Sequence, residues 1–195
     1  MKKLILILLF SSVITSAQLY QFGQARGAFL AVEVGPRFPV GSLSKSSGMG
    51  PGFNSTFSYT DNKVFPLFLY GTLGYAHFPG SQELYKQTAY SSFSSNVLTL
   101  SAGFRYYFNP LFENIVILMP VLDFGGSFGF FEKAHRFKSD SNMRNFTEDT
   151  AYIGGHIGAG FSMFLLDVLG YYNYFYGNQY LSFNMRVTIP VYIIF

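Results

Sequence analysis

The 195-residue chain has no cysteine and no tryptophan, and only 12% of its residues are charged. Without cysteine it can form no disulfide, use no thiolate nucleophile and carry no lipid on a cysteine. A charged share about half that of a soluble domain, beside 24 Phe and 15 Tyr, excludes both a disordered chain and an ordinary cytosolic protein. His77, His135 and His156 are its 3 histidines, and the sequence shows no metal-binding cluster. It shows no phosphate-cradling loop either: the glycines from Gly154 to Gly160 have the wrong spacing for a dinucleotide fingerprint, and no helix follows them. No window holds eighteen apolar residues in a row, which argues against a protein that crosses a membrane by helices. A chain that enters a bilayer without such helices must close into a barrel, the other way to satisfy its backbone in lipid.

The first residues read as a secretory leader. Lys2 and Lys3 precede an apolar run from Leu4 to Phe10 that continues through Val13 and Ile14, and Thr15-Ser16-Ala17 supplies small residues for cleavage after Ala17. Residues 1–17 are thus expected to be removed, leaving 18–195 as one domain. Loss of Lys2 and Lys3 leaves 11 basic against 10 acidic residues. So nearly balanced a mature chain gives no electrostatic reason to bind nucleic acid.

What is present is alternation. From Leu181 to Phe195 every second residue is apolar (Leu181, Phe183, Met185, Val187, Ile189, Val191, Ile193, Phe195), while the other row mixes Ser182, Asn184, Arg186, Thr188 and Pro190 with Tyr192 and Ile194. Period two is the signature of a strand, whose successive side chains leave opposite faces. At this length the strand suits a bilayer crossing with one face in lipid. The same reading places further strands at 27–37, 52–60, 65–77, 96–108, 116–130, 150–164 and 168–176, with Asp61-Asn62-Lys63 as a tight turn. The fold expected is all-β: an eight-stranded antiparallel up-and-down transmembrane barrel. The connections after strands one, three and five are long and polar and those after two, four and six are short, so both termini fall on the periplasmic side. A soluble sandwich or lipocalin-like barrel would reverse the faces and expose these aromatic rows to water.

Few charges fall on the inward rows: Glu33, Arg105, Asp123, His156 and Arg186. Glu33 and Arg186 lie near mid-height on strands that become neighbours on closure, and are expected to pair across that seam. Hairpin counting brings Asp123 near His156. An eight-stranded interior is only wide enough for side chains to fill, so these groups are expected to form a polar network that plugs the lumen. A narrow pore for small solutes is the alternative. A lipid-modifying enzyme is a third reading, weakened because no histidine has a serine two residues on along its strand face, so no nucleophile has a visible base. No cofactor is expected. Lys133, His135, Arg136, Lys138 and Arg144 form a cationic group in the third outer loop that could meet lipopolysaccharide phosphates, and the loops at 79–95 and 131–149 could carry an extracellular ligand site.

Two stretches carry a resemblance. Gly35-Pro36-Arg37-Phe38-Pro39-Val40-Gly41-Ser42-Leu43 with Gly48-Met49-Gly50-Pro51-Gly52 resembles the first loop and second strand of the outer-membrane protein β-barrel domain family, small barrels related to the membrane half of OmpA-type proteins. Ala102-Gly103-Phe104-Arg105-Tyr106-Tyr107-Phe108 and the closing Phe195 resemble that family's mid-barrel strand and its assembly signal. The resemblance implies a fold and an outer-membrane location rather than an activity. It also implies contact with outer-membrane lipid and insertion by the barrel assembly machinery through Val191, Ile193 and Phe195. The chain is expected to depart from the full OmpA type by lacking a peptidoglycan-binding domain, and it places Pro190 inside its last strand.

Overall fold

The computed structural model describes residues 26–61, 65–111, 118–163 and 165–194. The expected leader at 1–17, the turn residues Asn62 and Lys63, Val116 and Phe195 lie outside the described residues. Eight strands follow one another around a closed ring, each antiparallel to its neighbours: β1 Arg26–Val40, β2 Gly50–Asp61, β3 Phe65–Pro79, β4 Tyr90–Tyr107, β5 Met119–Phe137, β6 Phe146–Met163, β7 Leu166–Phe175 and β8 Gln179–Ile194. The ring closes between β1 and β8, where Val32 stands opposite Val187 and Glu33 opposite Arg186.

The alternation in sequence becomes two faces. On β8, Leu181, Phe183, Met185, Val187, Ile189 and Val191 are 36–63% exposed, whereas Ser182, Asn184 and Arg186 are 1–3% exposed. The same inversion holds on β1, where Leu30, Val32 and Val34 point out and Glu33 is buried. A soluble barrel would bury the apolar row, so an exterior of this kind is built to face hydrocarbon. Its edges carry aromatic side chains, with Tyr106 and Phe108 at one rim and Tyr75, Tyr174 and Tyr176 toward the other, all exposed.

Pro190 fits because of where β7 begins. The β7–β8 register starts with Leu166 opposite Val187, and the Thr188 N–H reaches back to Leu165 O at 3.0 Å. Pro190, two residues further on, turns its nitrogen to the same side, past the start of β7. Its missing N–H therefore costs no ladder bond. On the other side, a register shift between Ala28 and Phe29 of β1 takes up one extra residue of β8 beside it.

The outer connections are shorter than expected from sequence, because strand continues into them. Residues 79–95 contain a short helix, α1 Gln82–Gln87, and the start of β4 at Tyr90; of residues 131–149, only 138–145 lie outside β5 and β6. Two-sided water exposure makes these stretches polar, yet aromatic contacts hold their pairing. Tyr90 stacks on Phe137 with centroids 4.5 Å apart, and His135 stacks on Phe146 at 4.3 Å. The β1–β2 connection folds over the mouth instead of standing clear of it. Its 3-10 turn Leu43–Lys45 buries Leu43, and Gly48 N–H to Pro79 O at 2.6 Å and Ser81 N–H to Ser46 O at 3.0 Å pin it to the end of β3.

Inside the wall, Gly103 and Gly125 stand opposite each other on β4 and β5. A Cβ on Gly125 would come within 2.8 Å of both Gly103 Cα and the His156 ring, while one on the outward Gly126 would meet nothing within 4 Å. Gly125→Ala should therefore destabilise the refolded barrel by roughly 1–3 kcal/mol, as overpacking does, with Gly126→Ala close to neutral. Urea unfolding followed by the gel-mobility shift of the folded barrel measures both, and equal effects would contradict this packing.

Candidate functional site: the barrel lumen

The inward side chains sort into layers. At the periplasmic end Phe29, Phe68 and Tyr107 make a chain of rings with centroids 5.7 and 5.0 Å apart, beside buried Val121 and Leu169. Above them lies a charged layer, then a polar chamber. The outer end is closed by Leu43, Ala76, Phe78, Val97, Phe131, Phe175 and Tyr180, none more than 4% exposed. Phe131 and Phe175 meet edge to face at 5.3 Å, as do Phe78 and Tyr180 at 5.4 Å.

The charged layer is one connected network. Arg105 on β4 grips Asp123 on β5 with two parallel bonds, Nε to Oδ1 and Nη2 to Oδ2, both 2.6 Å. This is the fork geometry of a strong charge-assisted pair. Tyr171 on β7 donates its hydroxyl to Asp123 Oδ2 at 2.7 Å and accepts from Arg186 Nη2 at 3.1 Å. Arg186 then reaches across the closing seam to Glu33, with Nε to Oε1 at 2.8 Å and a second bond from Nη2. Glu33 also receives Thr56 Oγ1 at 3.1 Å, Asn54 Nδ2 at 3.1 Å and Asn184 Nδ2 at 2.9 Å. Five donors around one buried carboxylate compensate its lost hydration.

Of the residues singled out in the sequence, Glu33, Arg186, Arg105 and Asp123 thus share one network, and Glu33 and Arg186 meet directly. Asp123 and His156 do not pair. Gly125 stands opposite His156 and Gly158 opposite Asp123, so the two are diagonal neighbours, and the carboxylate goes to Arg105 instead. The two thus lie near each other, as hairpin counting expects, without bonding directly. His156 heads a second chain of hydrogen bonds: its Nε2 faces the Tyr70 hydroxyl at 2.5 Å, its Nδ1 faces Ser127 Oγ at 2.8 Å, and Ser127 meets Ser101 Oγ at 2.9 Å. A histidine beside a serine does therefore exist, contrary to the expectation from sequence, because the partner comes from the adjacent strand. The other ring nitrogen is held by a phenol rather than a carboxylate, and Ser127 is buried inside the barrel, away from the lipid face.

Three groups escaped the sequence reading. Asp167 is buried with its Oδ2 3.6 Å from Arg186 Nη1; it falls just ahead of the seventh strand as the sequence pattern bounds it. Arg37, also buried, sits at the outer end of β1. Tyr171 is one aromatic among many in the sequence, and only the register shows that it bridges two ion pairs. Among the described residues the buried charges are Glu33, Asp123 and Asp167 against Arg37, Arg105 and Arg186, so the interior is electrically balanced.

Solved structures with the same architecture exist. Neisserial surface protein A shares 16% identity over 85% of this chain and 97% of that one, with a TM-score of 0.54. A major outer membrane protein from Thermus thermophilus shares 13% identity over 84% of this chain and 99% of that one, with a TM-score of 0.53. The fold is that of the small outer-membrane β-barrels. No family model matches the chain, and no curated protein matches it in sequence.

At the outer mouth the barrel wall rises as an aromatic tip. Lys133 and His135 belong to the inward row of β5 that contains Phe131, so they leave the cationic surface group expected from sequence; Arg136, Lys138 and Arg144 remain exposed. His135 lies against Tyr90, Phe93 and Phe146, with Glu148 3.6 Å away. Burial pushes its pKa below the usual 6.5 against the opposing pull of Glu148. A depressed histidine pKa means the tip keeps its full stability above about pH 6.5 and loses it as pH falls through the lower folded value. NMR should show His135 titrating below 6.5, with amide protection at 134–137 falling on the same midpoint; His135→Gln should abolish that dependence.

The Arg105–Asp123 pair gives a second expectation for the barrel. Removing one partner strands the other charge, so Asp123→Asn should destabilise by about 3–5 kcal/mol, whereas Arg105→Met with Asp123→Leu should recover much of the loss. Unfolding free energies of the wild type and these two variants in micelles decide this.

Proposed function

We propose that this protein is an integral outer-membrane barrel whose lumen is closed, and that it works as a rigid anchor for the sheet its outer strands raise above the membrane. The outer plug carries this reading: Phe78, Val97, Phe131 and Phe175, from four different strands, are all fully buried where a solute path would have to run. Beneath them the ion pairs occupy the cross-section a second time. Beyond Phe130, the last lipid-facing residue of β5, that strand runs on through seven more residues to Phe137, roughly 20 Å of strand.

In this reading the apolar exterior contacts outer-membrane lipid, and Arg136, Lys138 and Arg144 face the lipopolysaccharide phosphates. The assembly machinery takes the chain by its last strand, through Val191, Ile193 and Phe195. The protein is not a catalyst, since its serine–histidine contact lies inside the closed wall. An extracellular ligand would meet the raised β4–β6 sheet. The polar chamber between the two closures favours a second reading, a narrow pore.

Planar-bilayer recording of the refolded mature protein separates the two. The closed-anchor reading expects a silent wild type, with Phe131→Ala combined with Phe175→Ala producing openings. Steady wild-type openings would overturn it.

A further inference from the structure

Between the charged layer and the outer plug the lumen holds a small polar chamber of about 40 Å³. Three charged side chains line it: Glu33, Arg37 and Arg186. They are not equally provided for. Glu33 and Arg186 are paired with each other, and Glu33 accepts from five donors, so its negative charge is spent within the network.

Arg37 is the exception. It is 2% exposed, yet among the described residues no carboxylate comes within ion-pair distance of it. Its guanidinium lies over Gly52, where the absence of a Cβ leaves it room. It donates to Gly35 O at 3.3 Å, Pro36 O at 3.5 Å and Asn54 Oδ1 at 3.4 Å, and closely only to Asn184 Oδ1. Three of these four bonds are at or beyond the long end of the normal range, and all four acceptors are neutral. Asn54 and Asn184 relay Arg37 to Glu33 through their amides, which orients the guanidinium without neutralising it. A buried cation left so is costly unless a counter-charge comes to it. The rest of the chamber wall offers hydroxyls, among them Thr99, Ser101, Tyr180 and Ser182, each able to turn a proton toward an anion.

We propose that the chamber is a binding site for a small monovalent inorganic anion of halide size, anchored by Arg37 and the surrounding hydroxyls. The anion sits where the Arg37 guanidinium faces the chamber, gives it the charged partner that no carboxylate supplies within ion-pair distance, and acts as a structural part of the barrel.

Bromide serves as the probe. Crystals of the mature protein grown in sodium bromide should show an anomalous peak in the chamber within hydrogen-bonding reach of Arg37, and the peak should vanish in Arg37→Met. Bromide confined to surface sites in the wild type, or a chamber peak that persists in Arg37→Met, would overturn the proposal. Should that variant fail to fold, the wild type alone still decides: its melting temperature should rise by a few degrees and saturate with chloride, but not with gluconate at matched ionic strength. Equal responses to the two salts would overturn it. These readouts are separate from conductance, so the site can fail while the closed-anchor reading stands, and the reverse.

Discussion

Arg186 holds this barrel together in a literal sense. It stands on the last strand and binds Glu33 on the first, with Asp167 on the seventh strand 3.6 Å away and Tyr171 bridging to the Arg105–Asp123 pair. A ring of eight strands in hydrocarbon has no outside on which to place a charge, and an interior just wide enough for side chains. Glu33, Arg105, Asp123 and Arg186 are therefore answered by one another across the lumen, while Arg37 has only neutral acceptors. The network is the consequence, and the strands at the seam are held by the same contacts that neutralise the charges.

That constraint also explains the layering. An interior made wholly of ion pairs would need donors for every lone pair, and desolvation would weigh heavily on each. The chain instead confines its charges mainly to one level and fills both ends with rings. Phe29, Phe68 and Tyr107 close the periplasmic side; Phe78, Phe131, Phe175 and Tyr180 close the outer side. Inward glycines give these rings their room: a Cβ on Gly129 would meet both Phe131 and Phe175 at 2.8 Å. Small and large residues alternate inside just as apolar and polar residues alternate around the wall.

Much of this was legible in the sequence, for a physical reason. Period-two patterning survives in a chain with lipid on one face, so the eight strands and the inward placement of Glu33, Arg105, Asp123, His156 and Arg186 could be read directly. Partnership was harder to read. It depends on register, and register depends on where hairpins turn; the β5–β6 extension through Phe137 and Phe146 has the composition of a loop because water bathes it on both sides. Hairpin counting brings Asp123 near His156, and they are diagonal neighbours in the fold, but it does not show that Asp123 bonds to Arg105 and His156 to Ser127. Asp167 was lost for a similar reason, because two residues at the head of β7 have the look of a turn. Tyr171 carried no signal beyond its aromatic type, since bridging two ion pairs is a property of the closed ring.

The measurement that tests the account most directly is a double-mutant cycle on the seam, with Glu33→Gln, Arg186→Met and the pair unfolded by urea from the same micelles. If the closing strands are joined through this contact, the coupling energy should be about 2–4 kcal/mol. A coupling below about 0.5 kcal/mol would mean the pair merely shares a level in the lumen, and that backbone pairing alone closes the barrel.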